Sequence, residues 1–204
     1  GILGDIINSD LFFVRSLNFS YDGLVAGTPG QATYYNFTQA NESRTPVIYT
    51  GANDGMLHAF NADTGVELFS YVPSVVYSKL SALTSPNYTH RYIVDGNTYA
   101  GDAYIGATPS WKTILLGTTG GGGKGIFALD ITDPTNFTAS NVMWEFTDAD
   151  LGFVHGQAKI ALLNDGTWVA IISNGYNSTS DKAYLYVVNL QTGALIKKIA
   201  TNNT

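Results

Sequence analysis

Residues 50–74 read TGANDGMLHAFNADTGVELFSYVPS and place two turn signals between short apolar runs. The runs are Met56–Phe60 and Glu67–Tyr71, and a third run, Val47–Tyr49, precedes them. Asn-Asp-Gly and Asp-Thr-Gly stand between the runs, and these residue types tolerate the positive φ angles that tight hairpin turns require. The stretch therefore predicts three antiparallel strands joined by two tight turns.

The same pattern occurs twice more along the chain. Further strands are predicted at 112–117, 126–130 and 142–146, and again at 167–173, 184–189 and 195–199. Together with the opening stretch they define three blade-like units, near 45–74, 111–148 and 158–200. Antiparallel units that repeat in this way are typical of a β-propeller, in which each sheet needs a neighbour to bury its faces. The predicted fold is therefore all-β and forms part of a propeller ring, because closed rings usually have about four to eight blades.

Three segments lie outside the repeats. Residues 16–44 are rich in Tyr, Asn and Gly and are interpreted as a long irregular surface loop. Residues 73–88 begin with Pro73, which favours a short helix at that point. Residues 10–19, DLFFVRSLNF, are expected to form a strand that closes the ring with a further C-terminal blade. The loop 16–44 and the insertion 73–88 are the expected binding surfaces, because surface loops usually carry binding.

Composition excludes several classes of function. The net charge is −6, and no cluster of basic residues exceeds the pair Lys197 and Lys198, so a nucleic-acid-binding surface is not predicted. The absence of cysteine excludes disulfides, thiolate nucleophiles and Cys-ligated zinc. The sequence has no apolar run long enough to predict a membrane span.

Two Asp residues occupy matching turns. Asp54 in NDG and Asp165 in NDGTW could offer oxygen ligands to a hard cation such as Ca²⁺. A calcium loop, however, alternates several oxygen ligands along one stretch, and neither turn does so. Both residues are therefore interpreted as turn formers.

The three histidines are isolated from one another. His58 lies in a predicted strand and is interpreted as a packed residue that hydrogen-bonds a neighbouring loop, although it could act as a base or a ligand. His90 and His155 are likewise far in sequence from any other histidine. No two histidines have the spacing of a zinc signature.

Other polar motifs resemble catalytic elements only in part. Asp95, Asp102, Asp148 and Asp150 could provide paired carboxylates for acid–base chemistry, but the sequence does not bring them together. The stretch TTGGGGKGIF at 118–127 resembles a phosphate loop, yet a strand rather than a helix is predicted after it. The expected role of this stretch is a flexible hairpin connection.

Seven Asn-x-Ser/Thr triplets indicate glycosylation or, as we favour, the chance result of an Asn- and Thr-rich surface. They begin at Asn18, Asn36, Asn41, Asn87, Asn136, Asn177 and Asn202.

Eight motifs occur in a fixed order along most of the chain. They are LGDIINSD at 3–10, YTGANDGMLHAFNADTGVELFSYVPS at 49–74, HRYIVDG at 90–96, GDAYIG at 101–106, GIFALDITDP at 125–134, WEFTD at 144–148, NDGTWVAIISNGYNS at 164–178 and LYVVNLQTGALIKKI at 185–199. In this order they resemble the C-terminal propeller of the PilY family, the type IV pilus tip-associated adhesins and biogenesis factors. The chain departs from the family pattern at Asn61 and Asn189, where Asp is usual, but Asn keeps an oxygen for the turn.

The resemblance implies a quinoprotein-like propeller with degenerate blades and no known enzyme activity. It implies export to the bacterial surface, pilus tip, outer membrane or periplasm, contact with minor pilins, and roles in pilus assembly and adhesion to host or surface ligands. Family members often carry a calcium loop after the segment that matches 185–199, so calcium is expected only in a longer protein. No catalytic, metal or binding residue of this chain is assigned, and no cofactor is expected in it.

Two other functions are kept as alternatives. A structural scaffold in an envelope complex would use the same propeller. A quinone-dependent dehydrogenase shares the DGxLxAxDxxTG repeat, but it needs a central calcium ion and a catalytic Asp, and many such enzymes use a Cys pair that this chain lacks.

Overall fold

Twelve strands form three four-stranded sheets in the computed structural model, which describes residues 3–201. The first sheet contains β1 (Phe12–Val14), β2 (Val47–Gly51), β3 (Leu57–Asn61) and β4 (Glu67–Tyr71). The second contains β5 (Thr98–Ile105), β6 (Ser110–Thr118), β7 (Ile126–Asp130) and β8 (Val142–Phe146). The third contains β9 (Lys159–Leu162), β10 (Trp168–Ser173), β11 (Tyr184–Asn189) and β12 (Leu195–Ala200). Every neighbouring pair is antiparallel and follows chain order, so the predicted all-β propeller architecture is confirmed as part of a ring.

All nine strands predicted in the three units are present with bounds within two residues of the prediction, because the apolar runs between turn signals define them well. Strands β4, β7, β8 and β11 agree with the sequence prediction at both ends. Strands β5 and β9 were not predicted, and the second sheet therefore begins at Thr98, ahead of its predicted unit. The expectation that residues 10–19 join a further C-terminal blade is wrong: Phe12 and Val14 pair with Tyr49 and Val47 in the first sheet.

Short helices lie in two long connections. Helix α1 (Gln31–Ala40) lies between β1 and β2, so the prediction that residues 16–44 are irregular throughout is wrong. Helix α2 (Tyr77–Leu80) lies between β4 and β5, preceded by Pro73 as the sequence predicted. Short 3-10 helices cover Tyr21–Gly23, Ser74–Val76, Ser81–Thr84, Gly120–Gly122, Pro134–Asn136 and Ala139–Asn141.

The second sheet lies between the other two and buries both of its faces. Leu115 of β6 packs with Tyr49 and Leu57 of the first sheet. Leu116, its neighbour in β6, belongs instead to the core cluster that includes Trp168 and Ile172 of the third sheet. Because successive residues of a strand point to opposite faces, one strand contributes to both cores.

The strands have inner and outer positions in the ring. Strand β5 contacts both β1 and β9, the first strands of the other two sheets, so these three strands lie at the inner side. Strands β4, β8 and β12 are the last in their sheets and form the outer edges. All loops therefore lie at the two ends of the sheets.

Candidate functional site

The connections fall into two groups at opposite ends of the sheets, because successive antiparallel strands reverse direction. One end, called the glycine-loop end after the glycine-rich residues 119–125, consists of 3–11, 52–56, 72–97, 119–125, 147–158 and 174–183. The α1 end consists of 15–46, 62–66, 106–109, 131–141, 163–167 and 190–194. The two segments predicted to bind partners, 16–44 and 73–88, therefore lie at opposite ends of the molecule.

The N-terminal segment ties loops together at the glycine-loop end. Asp5 accepts a hydrogen bond from Asn53 (3.0 Å), and its carboxylate lies 2.8 Å from His90 Nε2. The hydrogen bond from Asn53, assisted by His90, lowers the pKa of Asp5. Asn8 donates its backbone N–H and its side-chain amide to Asp95, at 3.1 and 2.7 Å. The segment thus fixes loops of the first and second sheets to each other.

The glycine loop, residues 119–125, packs closely on the insertion that follows β4. A Cβ on Gly122 would overlap the carbonyl of Ile93. Gly120 has a φ of +53°, and a Cβ there would lie 2.6 Å from the carbonyl carbon of Asp95. The loop leads from β6 directly into β7, as a hairpin connection. The structure therefore explains its glycines by close backbone contact rather than by phosphate binding.

Aromatic side chains are exposed on this end. Tyr77, Tyr88 and Tyr92 of the insertion are 60%, 39% and 42% exposed, and Tyr176 of the β10–β11 loop is 53% exposed. The ring of His155 stacks on Tyr176 at 5.7 Å with an interplanar angle of 13°. Tyrosines offer a large amphipathic contact area with little side-chain entropy to lose, so this end is suited to binding a macromolecule.

His58 lies buried in β3 with a carboxylate at each ring nitrogen. Its Nδ1 is 2.6 Å from Glu67, and its Nε2 is 3.1 Å from Asp54 in the adjacent turn. Burial alone would lower the pKa of His58, but the hydrogen bonds to Asp54 and Glu67 raise it. Burial alone would raise the pKa of Asp54, but hydrogen bonds from His58 and from the backbone N–H of Gly4 lower it. The interpretation of His58 as a packed strand residue bound to a neighbouring loop is confirmed.

The predicted carboxylates are brought together in one pair only. Asp148 and Asp150 both bind Lys198, whose hydrogen bonds lower the pKa of each. Asp95 binds Asn8 instead, and Asp102 is buried in β5. The four residues therefore do not form one acid–base site.

At the α1 end lies a buried polar network that no sequence motif indicates. Asp102 accepts hydrogen bonds from Tyr34 and Thr113, each at 2.8 Å. Arg44 donates to Thr113 (2.8 Å) and to the carbonyl of Arg15. Burial raises the pKa of Asp102 and lowers that of Arg44. These contacts fix the middle and the C-terminal end of the 16–44 segment to the second sheet, and Arg44 links that end to Arg15, just before the segment.

An aromatic cluster completes the attachment of this segment. Tyr21 stacks on Trp111 at 5.5 Å and lies edge-on to Trp168 at 5.1 Å. Tyr34 packs against Trp111 at 4.5 Å. Burial raises the pKa of Tyr21 to about 12. The segment is therefore a packed part of the propeller rather than a free loop.

Comparison with known proteins supports the same family as the sequence motifs. The sequence model of the PilY1 beta-propeller domain matches residues 3–204. The chain is 45% identical over 98% of its length to a type IV pilus biogenesis factor PilY1 homolog of Xylella fastidiosa. It is 40% identical over 97% of its length to the type IV pilus biogenesis factor PilY1 of Pseudomonas aeruginosa.

The chain belongs to the PilY1 beta-propeller domain family. The crystal structure of the Pseudomonas aeruginosa PilY1 C-terminal domain superimposes with a TM-score of 0.74 at 35% identity, over 93% of this chain and 36% of that one. The chain spans 14% and 17% of the two curated relatives.

In two hairpin turns of this PilY1-family chain, an Asp side chain accepts a hydrogen bond from a backbone N–H group of the same turn. Asp54 accepts from Met56 N at 3.1 Å, and Asp165 accepts from Thr167 N at 2.9 Å. Within residues 3–201, no three His, Cys, Asp or Glu side chains lie close enough to hold a metal ion. The described part of the chain therefore does not fit the calcium site expected of longer family members.

The Asn-x-Ser/Thr triplets lie mostly on the surface. Asn18, Asn36, Asn87, Asn136 and Asn177 are exposed, Asn41 is half-buried, and Asn202 lies outside the described residues. Over the described range, no helix is both long and apolar enough to cross a bilayer.

Proposed function

We propose that this chain is a non-enzymatic propeller that acts in type IV pilus biogenesis, at or near the pilus tip, and in adhesion to host or surface ligands. The family match over residues 3–204 carries the proposal, because the curated relatives are named type IV pilus biogenesis factors. Export to the bacterial surface, outer membrane or periplasm is part of the same proposal.

The two ends of the sheets would serve different partners. We assign the contact with minor pilins to the glycine-loop end, because the insertion there exposes the three tyrosines Tyr77, Tyr88 and Tyr92. The α1 end, where Val25 and Tyr35 are 81% and 60% exposed, would then remain free for an adhesion ligand. Rigid attachment of both segments reduces the ordering cost of binding.

The non-enzymatic part of the proposal is supported by the partners of the His and Asp residues that could have been catalytic, because these side chains pair with one another or with a lysine. His58 is held by Asp54 and Glu67, and Asp148 and Asp150 share Lys198. A dehydrogenase would need a metal and a catalytic carboxylate directed into an open site. We further propose that this chain holds no cofactor, and that calcium in the full-length protein is bound by residues outside this chain.

The first experiment shears pili from bacteria that carry the tagged full-length protein. We expect the tag to co-purify with pili and to label their ends. Replacing both Tyr88 and Tyr92 with Ala should reduce the tag in the sheared fraction by about tenfold or more, since exposed tyrosines that a partner buries on binding are frequent hot spots. Tyr35→Ala at the α1 end is the matched control and should leave the tag on pili.

Immunoblots of whole cells establish that each variant is made at the wild-type level. If the wild-type tag stays with the envelope and no pilin accompanies it, the pilus role is wrong and the envelope scaffold becomes the better hypothesis. If Tyr35→Ala and the double variant lose the tag equally, the assignment of the pilin contact to the glycine-loop end is wrong.

A further inference from the structure

A cavity of about 260 Å³ opens between the first and second sheets at the glycine-loop end. Its walls are formed by Pro73, Ser74, Val75, Gly125, Ile126, Phe127, Glu145, Phe146 and Thr147. Most of these side chains are apolar, and Glu145 is the one charged residue among them. The cavity is separate from the exposed tyrosines of the insertion and from the networks described above.

The carboxylate of Glu145 is held in place by three donors. The hydroxyl groups of Tyr71 and Ser74 donate to it, and the backbone N–H of Ser74 donates at 2.8 Å. Burial, together with this hydrogen bond to Glu145, raises the pKa of Tyr71, so Tyr71 remains a donor. A carboxylate oriented in this way over apolar walls can recognise a cation without reorganising.

No basic side chain in the described part of the chain neutralises Glu145. Among residues 3–201, its carboxylate has no Lys, Arg or His nitrogen within 4 Å. Lys124, next to the cavity wall, instead directs its ammonium to the carbonyl of Asn177 and lies 5.5 Å from the ring centre of Phe153. Lys79 donates to the carbonyl of Gly122. The charge of the cavity is thus complementary to a cation supplied from outside.

Glu145 also lies in β8, the outer strand of the second sheet. Strand β8 pairs with β7 on one side, and in the described residues no strand pairs with its other side. An open edge offers backbone N–H and C=O groups to an extended peptide, and a side-chain pocket beside the edge adds specificity. The cavity is such a pocket.

We propose that this cavity binds a lysine side chain of a partner protein whose extended segment adds to the outer edge of β8. The methylene stem of the lysine would contact Val75 and Phe127, and its ammonium would pair with Glu145. A lysine suits the site because it combines a long apolar stem with a compact charge. This site does not depend on the proposed pilus role, since it is defined by the cavity and the edge alone.

The test uses the full 204-residue chain and a synthetic probe, the acetylated and amidated peptide Thr-Val-Thr-Lys-Thr-Val-Thr. Titration followed by amide NMR shifts should show binding at residues 125–127 and 142–147. A peptide with Gln in place of Lys should bind about tenfold more weakly, as expected when a charged hydrogen bond is lost. The variant Glu145→Gln should remove the difference between the two peptides. Glu42→Gln, an exposed charge change at the α1 end, should preserve it.

A second variant keeps the test decisive if Glu145→Gln does not fold. Ser74→Lys places an ammonium of the chain itself beside Glu145, and it should weaken the lysine peptide by about tenfold. Equal affinity for the Lys and Gln peptides, or shifts that avoid residues 142–147, would overturn the proposal. Nα-acetyl-lysine amide keeps the side-chain ammonium but has no extended backbone. If it bound as tightly as the peptide, the proposal would also be overturned, because the strand edge would then contribute nothing.

Discussion

His58 illustrates how one side chain can join three parts of the first sheet. Glu67 lies 2.6 Å from Nδ1 and Asp54 lies 3.1 Å from Nε2. A neutral imidazole has one N–H, whereas the imidazolium has two, so only the protonated ring can donate to both carboxylates. Asp54 in turn accepts the backbone N–H of Gly4 at 2.9 Å, which extends the contact to the N-terminal segment.

We predict that His58 makes the stability of the chain depend on pH near neutrality. Because its pKa is raised on folding, the stabilisation is complete below the unfolded pKa of about 6.5 and is lost as pH rises through the folded pKa. His58→Gln should therefore lower the free energy of unfolding by about 2 kcal/mol at pH 6 and by less at pH 9, as measured by urea denaturation.

The control for this prediction is His90→Gln. His90 pairs with Asp5 on the surface, where the side chains are 44% and 50% exposed, so the loss should stay below about 0.5 kcal/mol. The lowered pKa of Asp54 also sets an acid limit: its contribution is lost as pH falls through that folded pKa. An equal loss for His58→Gln at pH 6 and pH 9 would show that the ring is neutral in the folded state.

At the scale of elements, the glycine loop determines how the β4–β5 insertion sits on the sheets. We predict that Gly122→Ala lowers the free energy of unfolding by about 2–4 kcal/mol, because its Cβ would overlap the backbone of Ile93 and the insertion would have to move. Gly23→Ala is the matched control, since a Cβ there meets no atom within 4 Å, and it should change stability by less than about 0.5 kcal/mol.

Thermal melting and hydrogen exchange of the insertion measure both variants. In Gly122→Ala, faster exchange should be concentrated in residues 72–97. If the two glycine variants melt at the same temperature, the loop does not restrain the insertion.

The elements that the sequence predicted are those in which apolar runs alternate with turn signals. Strands β7 and β11 have this form and agree at both ends. Strand β5, TYAGDAYI, carries Gly101 and Asp102 at its centre, and these residue types are depleted in strands. Its burial between neighbouring sheets, which no local pattern reports, overrides that preference.

Helix α1 was missed for a related reason. Its sequence QATYYNFTQA has no side-chain N-cap, since Gly30 precedes it, and its large apolar residues Tyr34, Tyr35 and Phe37 are aromatic, with a lower helix propensity than Leu or Met. The helix is stabilised by packing of Tyr34 on Trp111 and by the hydrogen bond from Tyr34 to Asp102. Such long-range partners, like those of Glu145, are determined only by the folded chain.

The whole molecule is organised around its middle sheet. Both faces of that sheet are buried, one against each neighbour, and the loops of all three sheets meet at the two ends. This arrangement holds the two proposed binding surfaces at fixed positions relative to the same core. The packing of that core therefore determines whether both surfaces keep their positions.

The alternation of β6 allows the two halves of the core to be tested separately. Leu115 and Leu116 are 0% and 1% exposed, yet the first packs against the first sheet and the second against the third. Each Leu→Ala change should lower the free energy of unfolding by about 3 kcal/mol, whereas Ile199→Ala, at a side chain 39% exposed, should cost less than about 1 kcal/mol. Because the two side chains belong to different core clusters on opposite faces of the sheet, the double variant should lose nearly the sum, within about 0.5 kcal/mol. A loss well below the sum in urea denaturation would mean that the two core clusters are coupled, so that removing one leucine already weakens the packing of the other.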